Sequence, residues 1–225
     1  MGNNSVLQVG GFTMKPLIIA NRFQLSFIDY PSANKSALTY YVYGCGFHCP
    51  GCQNAKLQCR DHYDNDEVYI FETPENFLDF LVKNDQKSNR NQGLVVIQGG
   101  DPFFKDNREF ILKTITLSVE KSTGLRFCIY TGFTVEALGV ILHPSNLGFT
   151  PETENLSNKM NEVLSHIPYI KCGEYDQTKP NVKNGKIEGK LYLATTNQII
   201  YKYNPEKLGY EPISKAGIAD LAIVD

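Results

Sequence analysis

The sequence predicts an α/β fold with a mainly parallel sheet, and three observations carry that expectation. Short runs rich in β-branched and aromatic residues alternate with stretches of helical periodicity. One of those runs, Leu94-Val95-Val96-Ile97, is apolar at every position, the pattern of a strand covered on both faces. Each run that carries unusual residues carries them at its C-terminal end, the edge where ligands gather in parallel α/β architectures. The length, 225 residues, suits one domain of generous size. Met1 to Phe12 lacks the charged-then-apolar layout of a secretory signal. We therefore expect a flexible leader over residues 1–20 and one domain with a C-terminal tail over residues 21–225.

The elements follow in order. Ala37 to Val42, continuing into Tyr43, reads as a strand. Thr73 is placed as a helix N-cap and Pro74 as the first helical residue. Phe77, Leu78, Leu81 and Val82 then share one helical face. The polar run Asp85 to Gln92 reads as a loop. Leu94 to Ile97 is the buried strand. Ile111, Ile115 and Val119 mark a second helix that Gly124 stops. Leu125 to Tyr130 is the next strand, and a short helix starts at Thr134. Pro144 to Pro151 reads as a loop. Leu156, Met160, Val163 and Leu164 mark another helix. Strands are expected at Ile167–Ile170 and Lys190–Thr195, with a polar loop from Gly173 to Gly189. The last twenty residues have no strong period and read as a tail on the body.

Composition narrows the function. A formal net charge of −2 gives no basic field for nucleic acid. No apolar run is long enough to span a membrane. Six cysteines at this length are too sparse for a disulfide scaffold, and a reducing, cytoplasmic setting is expected. Clustered cysteines in such a setting read as metal ligands. Cys128 and Cys172 lie in apolar runs and read as buried structural thiols. Cys59 has no assigned role.

The cluster itself is Gly44-Cys45-Gly46-Phe47-His48-Cys49-Pro50-Gly51-Cys52-Gln53-Asn54, a C-x3-C-x2-C pattern. Three thiolates from one short loop can hold a four-iron cluster and leave the fourth iron open to a small ligand. They can also hold zinc, with His48, Cys59 or His62 as a fourth ligand. Farther on, Gly99-Gly100-Asp101-Pro102 ends the buried strand. Its two glycines remove side chains and expose backbone to a bound molecule, and Asp101 adds a carboxylate that could receive an ammonium group. Tyr130-Thr131-Gly132 either contacts a nucleoside or closes a strand. Asp29 and Tyr30 read as structural.

Taken together these residues resemble the radical S-adenosylmethionine enzymes. The spacing Cys45-x3-Cys49-x2-Cys52 matches that superfamily's cluster motif, and Gly99-Gly100-Asp101-Pro102 is similar to its Gly-Gly-Glu-Pro motif. Within the superfamily the chain is most similar to the activating proteins of anaerobic ribonucleoside-triphosphate reductase. That likeness rests on Pro50-Gly51-Cys52-Gln53-Asn54, on Tyr130-Thr131-Gly132-Phe133-Thr134 and on Thr196-Asn197-Gln198, in that order. It runs from about Phe27 to about Ile200. The chain departs from the superfamily in carrying Gly51, not an aromatic, before the third cysteine, and Gln98 in place of a common serine.

The resemblance implies a partial barrel of roughly six strands. It implies a [4Fe–4S] cluster on Cys45, Cys49 and Cys52, and S-adenosylmethionine contacts from Gly51, Gln53, Gly99, Gly100, Asp101 and Thr131. The cluster and the sulfonium nucleotide would carry the chemistry, with no side chain as acid or base. The implied partners are a flavodoxin-like reductant and the glycyl-radical subunit of the anaerobic reductase. The alternatives are another glycyl-radical protein, a small molecule such as a deazapurine precursor, or a zinc-stapled binding module without turnover.

Overall fold

The computed structural model describes residues 14–26, 29–31, 35–61, 63, 67–88, 92–183, 186–187 and 193–213. Its centre is an eight-stranded sheet with the spatial order β10-β9-β6-β5-β4-β2-β1-β3. The four inner strands are β2 (Ala37–Val42), β4 (Leu94–Gly99), β5 (Arg126–Tyr130) and β6 (Tyr169–Cys172), and they run parallel to one another. The flanks are antiparallel. β1 (Leu17–Ser26) pairs with β2 and with β3 (Val68–Phe71), while β9 (Ile199–Asn204) pairs with β6 and with β10 (Gly209–Pro212). A separate two-stranded ribbon joins β7 (Val182–Lys183) to β8 (Lys186–Ile187). The fold is therefore mixed α/β. The expected mainly parallel sheet is corrected to a parallel centre between antiparallel flanks, so that antiparallel pairings outnumber parallel ones.

Helices make the parallel connections. Helix α1 (Pro74–Lys87) precedes β4, α2 (Arg108–Glu120) joins β4 to β5, and α3 (Val135–Ile141) and α4 (Leu156–Ser165) join β5 to β6. Thr73 caps α1, its side-chain oxygen accepting the Asn76 N–H at 3.3 Å, with Pro74 in the first turn. The helix runs on through Asp85–Lys87, where a loop was expected. Apolar periodicity ends at Val82, and the last turn is polar on its outer side. Asp85 then receives the Gly93 N–H at 3.1 Å, tying the helix end to the start of β4. Gly124 has φ of +75°, the left-handed conformation suited to its place after α2.

Alternation along the inner strands divides their side chains between two layers. Leu38, Tyr40, Val42, Val95, Ile97, Phe127, Ile129 and Ile170 join the main core with the helices, around Phe77, Phe110 and Ile111. Ala37, Leu94, Val96, Cys128 and Tyr130 face the other way and pack with Tyr30 and Tyr169. Cys128 and Cys172 are both buried, as expected for structural thiols. Burial pushes Cys172 up to about 12 and raises Cys128 strongly, so neither forms a thiolate readily.

Four further boundaries differ from expectation. Leu17 to Ala20, read as the end of a leader, are buried in β1; residues 1–13 lie outside the described part. The sixth strand begins at Tyr169, not Ile167. Of the strand expected over Lys190–Thr195, residues 190–192 lie outside the described part, and only Thr195 pairs, in an isolated bridge to Pro180. The strand beside β6 is β9 instead, and β10 occupies part of the expected tail. Within the loop expected from Pro144, Pro144–Leu147 forms a short 3-10 turn.

Candidate metal centre

The cysteine loop leaves β2 and is held by its own backbone. Tyr43 N–H donates to the Ile18 carbonyl at 2.9 Å, Gly44 N–H to Leu57 at 2.7 Å and Cys45 N–H to Gln58 at 3.0 Å. Inside the loop, Cys52 N–H donates to the Cys49 carbonyl at 3.2 Å. Arg60 braces it from behind: its guanidinium donates to the Asn107 side chain at 2.7 Å, to the Asp106 carbonyl at 2.9 Å and to the Pro16 carbonyl. Asn107 in turn donates to the carbonyls of Tyr43 and Asp101 at 2.8 and 2.9 Å. Arg60 and Asn107 carried no motif and were not singled out from sequence.

Cys45, Cys49 and Cys52 are half-buried and line one cavity. Burial raises the Cys45 thiol above its ordinary value; the Phe47 N–H, 3.5 Å from its Sγ, works against that. Burial likewise raises Cys49, against a hydrogen bond from the Tyr175 backbone. Among the described residues no three His, Cys, Asp or Glu side chains are gathered closely enough to close on a single ion. Of the possible fourth zinc ligands, His48 and Cys59 are exposed and do not line the cavity. His62 lies outside the described residues. Three soft thiols around one cavity, with backbone N–H groups on two of them, fit an iron–sulfur cluster.

The Gly99-Gly100-Asp101 turn, at the end of β4, meets the cysteine loop backbone to backbone. Gly100 N–H donates to the Val42 carbonyl and Asp101 N–H to the Gly44 carbonyl, both at 2.7 Å. A Cβ on Gly99, which has φ of +112°, would stand 2.9 Å from the Val42 backbone, and one on Gly100 would overlap the Gly44 carbonyl oxygen. The two glycines were expected to open backbone to a ligand. Their first effect is to let this turn lie directly on the loop that carries Cys45.

Asp101 is 1% exposed. Its carboxylate accepts the Phe103 N–H at 2.7 Å and the Gly132 N–H at 2.8 Å, and the Thr131 hydroxyl lies 3.0 Å from both oxygens. Burial pushes Asp101 up to about 6, opposed by these hydrogen bonds. Expected to receive a ligand's ammonium, this carboxylate is taken up by donors of the chain itself. Thr131 is similarly engaged, since its hydroxyl also accepts the Phe133 N–H at 3.2 Å.

Gln53, Gly99, Gly100, Asp101 and Thr131 all line the same cavity as the cysteines. Gly51 does not. It has φ of +67°, and the Gln177 side-chain oxygen occupies the place its Cβ would take. The left-handed φ is what favours glycine before the third cysteine, since the exposed end of Gln177 can move aside. Sequence reasoning missed Lys171, at the end of β6, and Phe47, whose ring rests on Gly132 and meets Phe133 edge-on at 4.9 Å. It named Gln198 without a role. That side chain donates to the Gly173 carbonyl at 3.0 Å and accepts the Ala194 N–H at 3.1 Å, which ties β9 to the cavity wall.

Residues 36–191 match the family described as the 4Fe–4S single cluster domain. The chain belongs to that family, an iron–sulfur domain found in radical S-adenosylmethionine-related proteins. None of the curated proteins compared with the chain matches it. Among the described residues, no helix is long and apolar enough to cross a membrane.

Proposed function

We propose that the chain is a radical S-adenosylmethionine enzyme that installs a glycyl radical in anaerobic ribonucleoside-triphosphate reductase. One observation carries this. The loops after β2, β4, β5 and β6 converge on a single cavity lined by the three cysteines, Gly99-Gly100-Asp101 and Thr131-Gly132 together. Neighbouring parallel strands bring these loops to one edge, and what marks the site is that this edge carries the three thiols and the glycine-bearing turns around one cavity.

In this reading Cys45, Cys49 and Cys52 would hold a [4Fe–4S] cluster, and Gln53, Gly99, Gly100 and Thr131 would line the place of S-adenosylmethionine beside it. When bound, the cluster and the sulfonium nucleotide would supply the chemistry, reductive cleavage of a C–S bond and abstraction of a hydrogen atom from a glycine Cα of the partner. The chain's own residues hold and enclose. Asp101 fixes the ends of β4 and β5 to each other, through Phe103 on one side and Thr131-Gly132 on the other. Phe47 walls the cavity beside Cys45 and, with Gly132 and Phe133, keeps water from that side. The backbone N–H groups of Phe47 and Tyr175, directed at Cys45 and Cys49, stabilise charge on the cluster's sulfur ligands and so raise its potential.

The test is anaerobic reconstitution with iron and sulfide, then reduction by dithionite in the presence of S-adenosylmethionine. The expected product is 5′-deoxyadenosine. A brown, cluster-loaded protein that forms none would sink the reading. Mixing with candidate partners then decides the substrate, because a glycyl doublet in the paramagnetic resonance spectrum appears only with the right one. A doublet with a different glycyl-radical protein, or turnover of a small molecule, would move the assignment within the superfamily.

A further inference from the structure

β3 ends the sheet beyond β1, so among the described residues no strand pairs with its outer edge. Edges of this kind are commonly guarded by a charge, a proline or a bulge within the strand. Val68–Phe71 carries no charge and no proline, and its register with β1 is regular. Tyr69 is 37% exposed and Ile70 45%. Successive side chains of a strand point to opposite faces, so this edge is apolar on both. On one face Tyr69 and Phe71 meet the ring of Phe80 on α1, at 5.2 and 5.1 Å between centres. Phe23 of β1, itself 39% exposed, meets that ring edge-on at 6.0 Å. On the other face Val68 packs with Ile18, Ala20, Tyr43 and Leu57, at the root of the cysteine loop. The register Leu17↔Phe71 and Ile19↔Val42 sets the Phe71 end of β3 on the same edge of the sheet as that loop.

Charge says what such an edge accepts. Glu67 and Glu72 stand at its two ends, and Asp79 precedes Phe80 on α1; all three are exposed. Among the described residues none of them forms an ion pair. Seven acidic residues and no lysine or arginine lie between Arg60 and Lys83, in a chain whose net charge is only −2. A second copy of β3 is disfavoured as the occupant. Paired antiparallel and centred, Glu67 of each copy would face Glu72 of the other; paired parallel, each would face its own kind. The same charges repel nucleic acid and anionic membranes. We propose that the outer edge of β3 binds an extended segment of a partner protein by strand addition, a segment with an apolar middle and lysine or arginine at its ends. Main-chain hydrogen bonds would supply affinity, and the aromatic face and the terminal carboxylates would supply selectivity. The surface lies outside the cavity, so the inference does not rest on the chemistry proposed there.

Three labelled peptides test it against the full chain by fluorescence anisotropy. They share one alternating valine–threonine middle. The first has lysine pairs at its ends, the second glutamate pairs, and the third is the lysine peptide N-methylated on alternate backbone nitrogens. At low salt the lysine peptide should bind about 10-fold or more tightly than the glutamate peptide. It should also slow hydrogen exchange at the backbone amides of Val68–Phe71. N-methylation keeps the charge and removes donors, and it should abolish both effects. The double variant Glu67→Lys, Glu72→Lys should reverse the preference between the charged peptides, with its melting temperature reporting an intact fold. Failure of the lysine peptide to bind, equal binding of all three, or binding without protection of β3 overturns the proposal. A concentration-dependent dimer that protects β3 in the absence of peptide overturns it as well, and gives the edge to a second copy.

Discussion

The ends of β4 and β6 flank β5 on one edge of the sheet, and each buries a charge beside the same cavity. At the end of β4, Asp101 is surrounded by donors from its own turn and from the end of β5. At the end of β6, Lys171 has a ring beneath it and no acceptor. The first charge ties two turns together through its hydrogen bonds; the second rests on an aromatic face. Burial alone does not separate the two, since both residues are more than nine-tenths buried. The number of partners supplied by the protein does.

The sharpest way to break the comparison is at Gly100. Valine there would drive its side chain into the Gly44 carbonyl, one residue from Cys45. We expect Gly100→Val to lose more than about 4 kcal/mol of stability, or to fail to fold, because rigid backbone is what it meets. Iron uptake on reconstitution should fall as well, measured as iron and sulfide per chain. Retention of a full cluster would show that the two turns move independently.

Asp101→Ala comes next. It leaves the buried N–H groups of Phe103 and Gly132 without an acceptor, for an expected loss of about 2–4 kcal/mol in denaturant unfolding. A loss below about 1 kcal/mol would mean that water satisfies those groups and that the β4 turn is no more closed than that of β6.

Lys171 should show the opposite sign. Burial lowers it to about 8 from 10.5. Between those values the unfolded chain binds the proton more tightly than the folded one, so stability rises with pH across that window. Lys171→Met lacks this dependence. It should exceed the wild type by up to about 3 kcal/mol at neutral pH, with the gap closing from about pH 8 to 10.5. A gap that does not change with pH would place the charge in water. Asp101 carries the mirror dependence. Raised to about 6 from 3.8, it contributes a loss of stability as pH climbs between those values.

The smallest effect is expected at Gly173, which follows β6 with φ of +110°. The nearest atom to a Cβ there is 3.5 Å away. Gly173→Ala therefore meets only backbone strain, about 1–3 kcal/mol in thermal unfolding. The contrast with Gly100 is between a glycine required by its conformation and one required by a neighbour.

Much of the parallel centre was legible in the sequence. Leu94–Ile97 is a both-faces-buried strand because α/β packing leaves it no wet side, and Thr73-Pro74 signals its helix locally. The flanks were not. β1 joins two patterns, an apolar run over its first four residues and a short alternation through Phe23 and Leu25 that lies mostly exposed, and neither is long enough to mark it. β3 is four residues long and has value only beside β1. The motif residues were legible because loop chemistry demands glycine and cysteine locally, and the structure brings all but Gly51 to one cavity. What Asp101 touches was not legible, since its donors at Thr131 and Gly132 lie about thirty positions away. Lys171 gave no signal because a lone lysine in an apolar run most often extends its head to water. Only the register between β5 and β6 sets it over Tyr130.

The contact between Gly51 and Gln177 reaches beyond this chain. The segment after β6 leans on the cysteine loop at that point, where the exposed end of the Gln177 side chain fills the space beside Gly51. In related sequences a bulky residue before the third cysteine should be accompanied by a small one at the position of Gln177, and a glycine should permit a long one. Compensating size, traced across an alignment, would mark which members bring their sixth strand's loop down onto the thiolates and which hold it away.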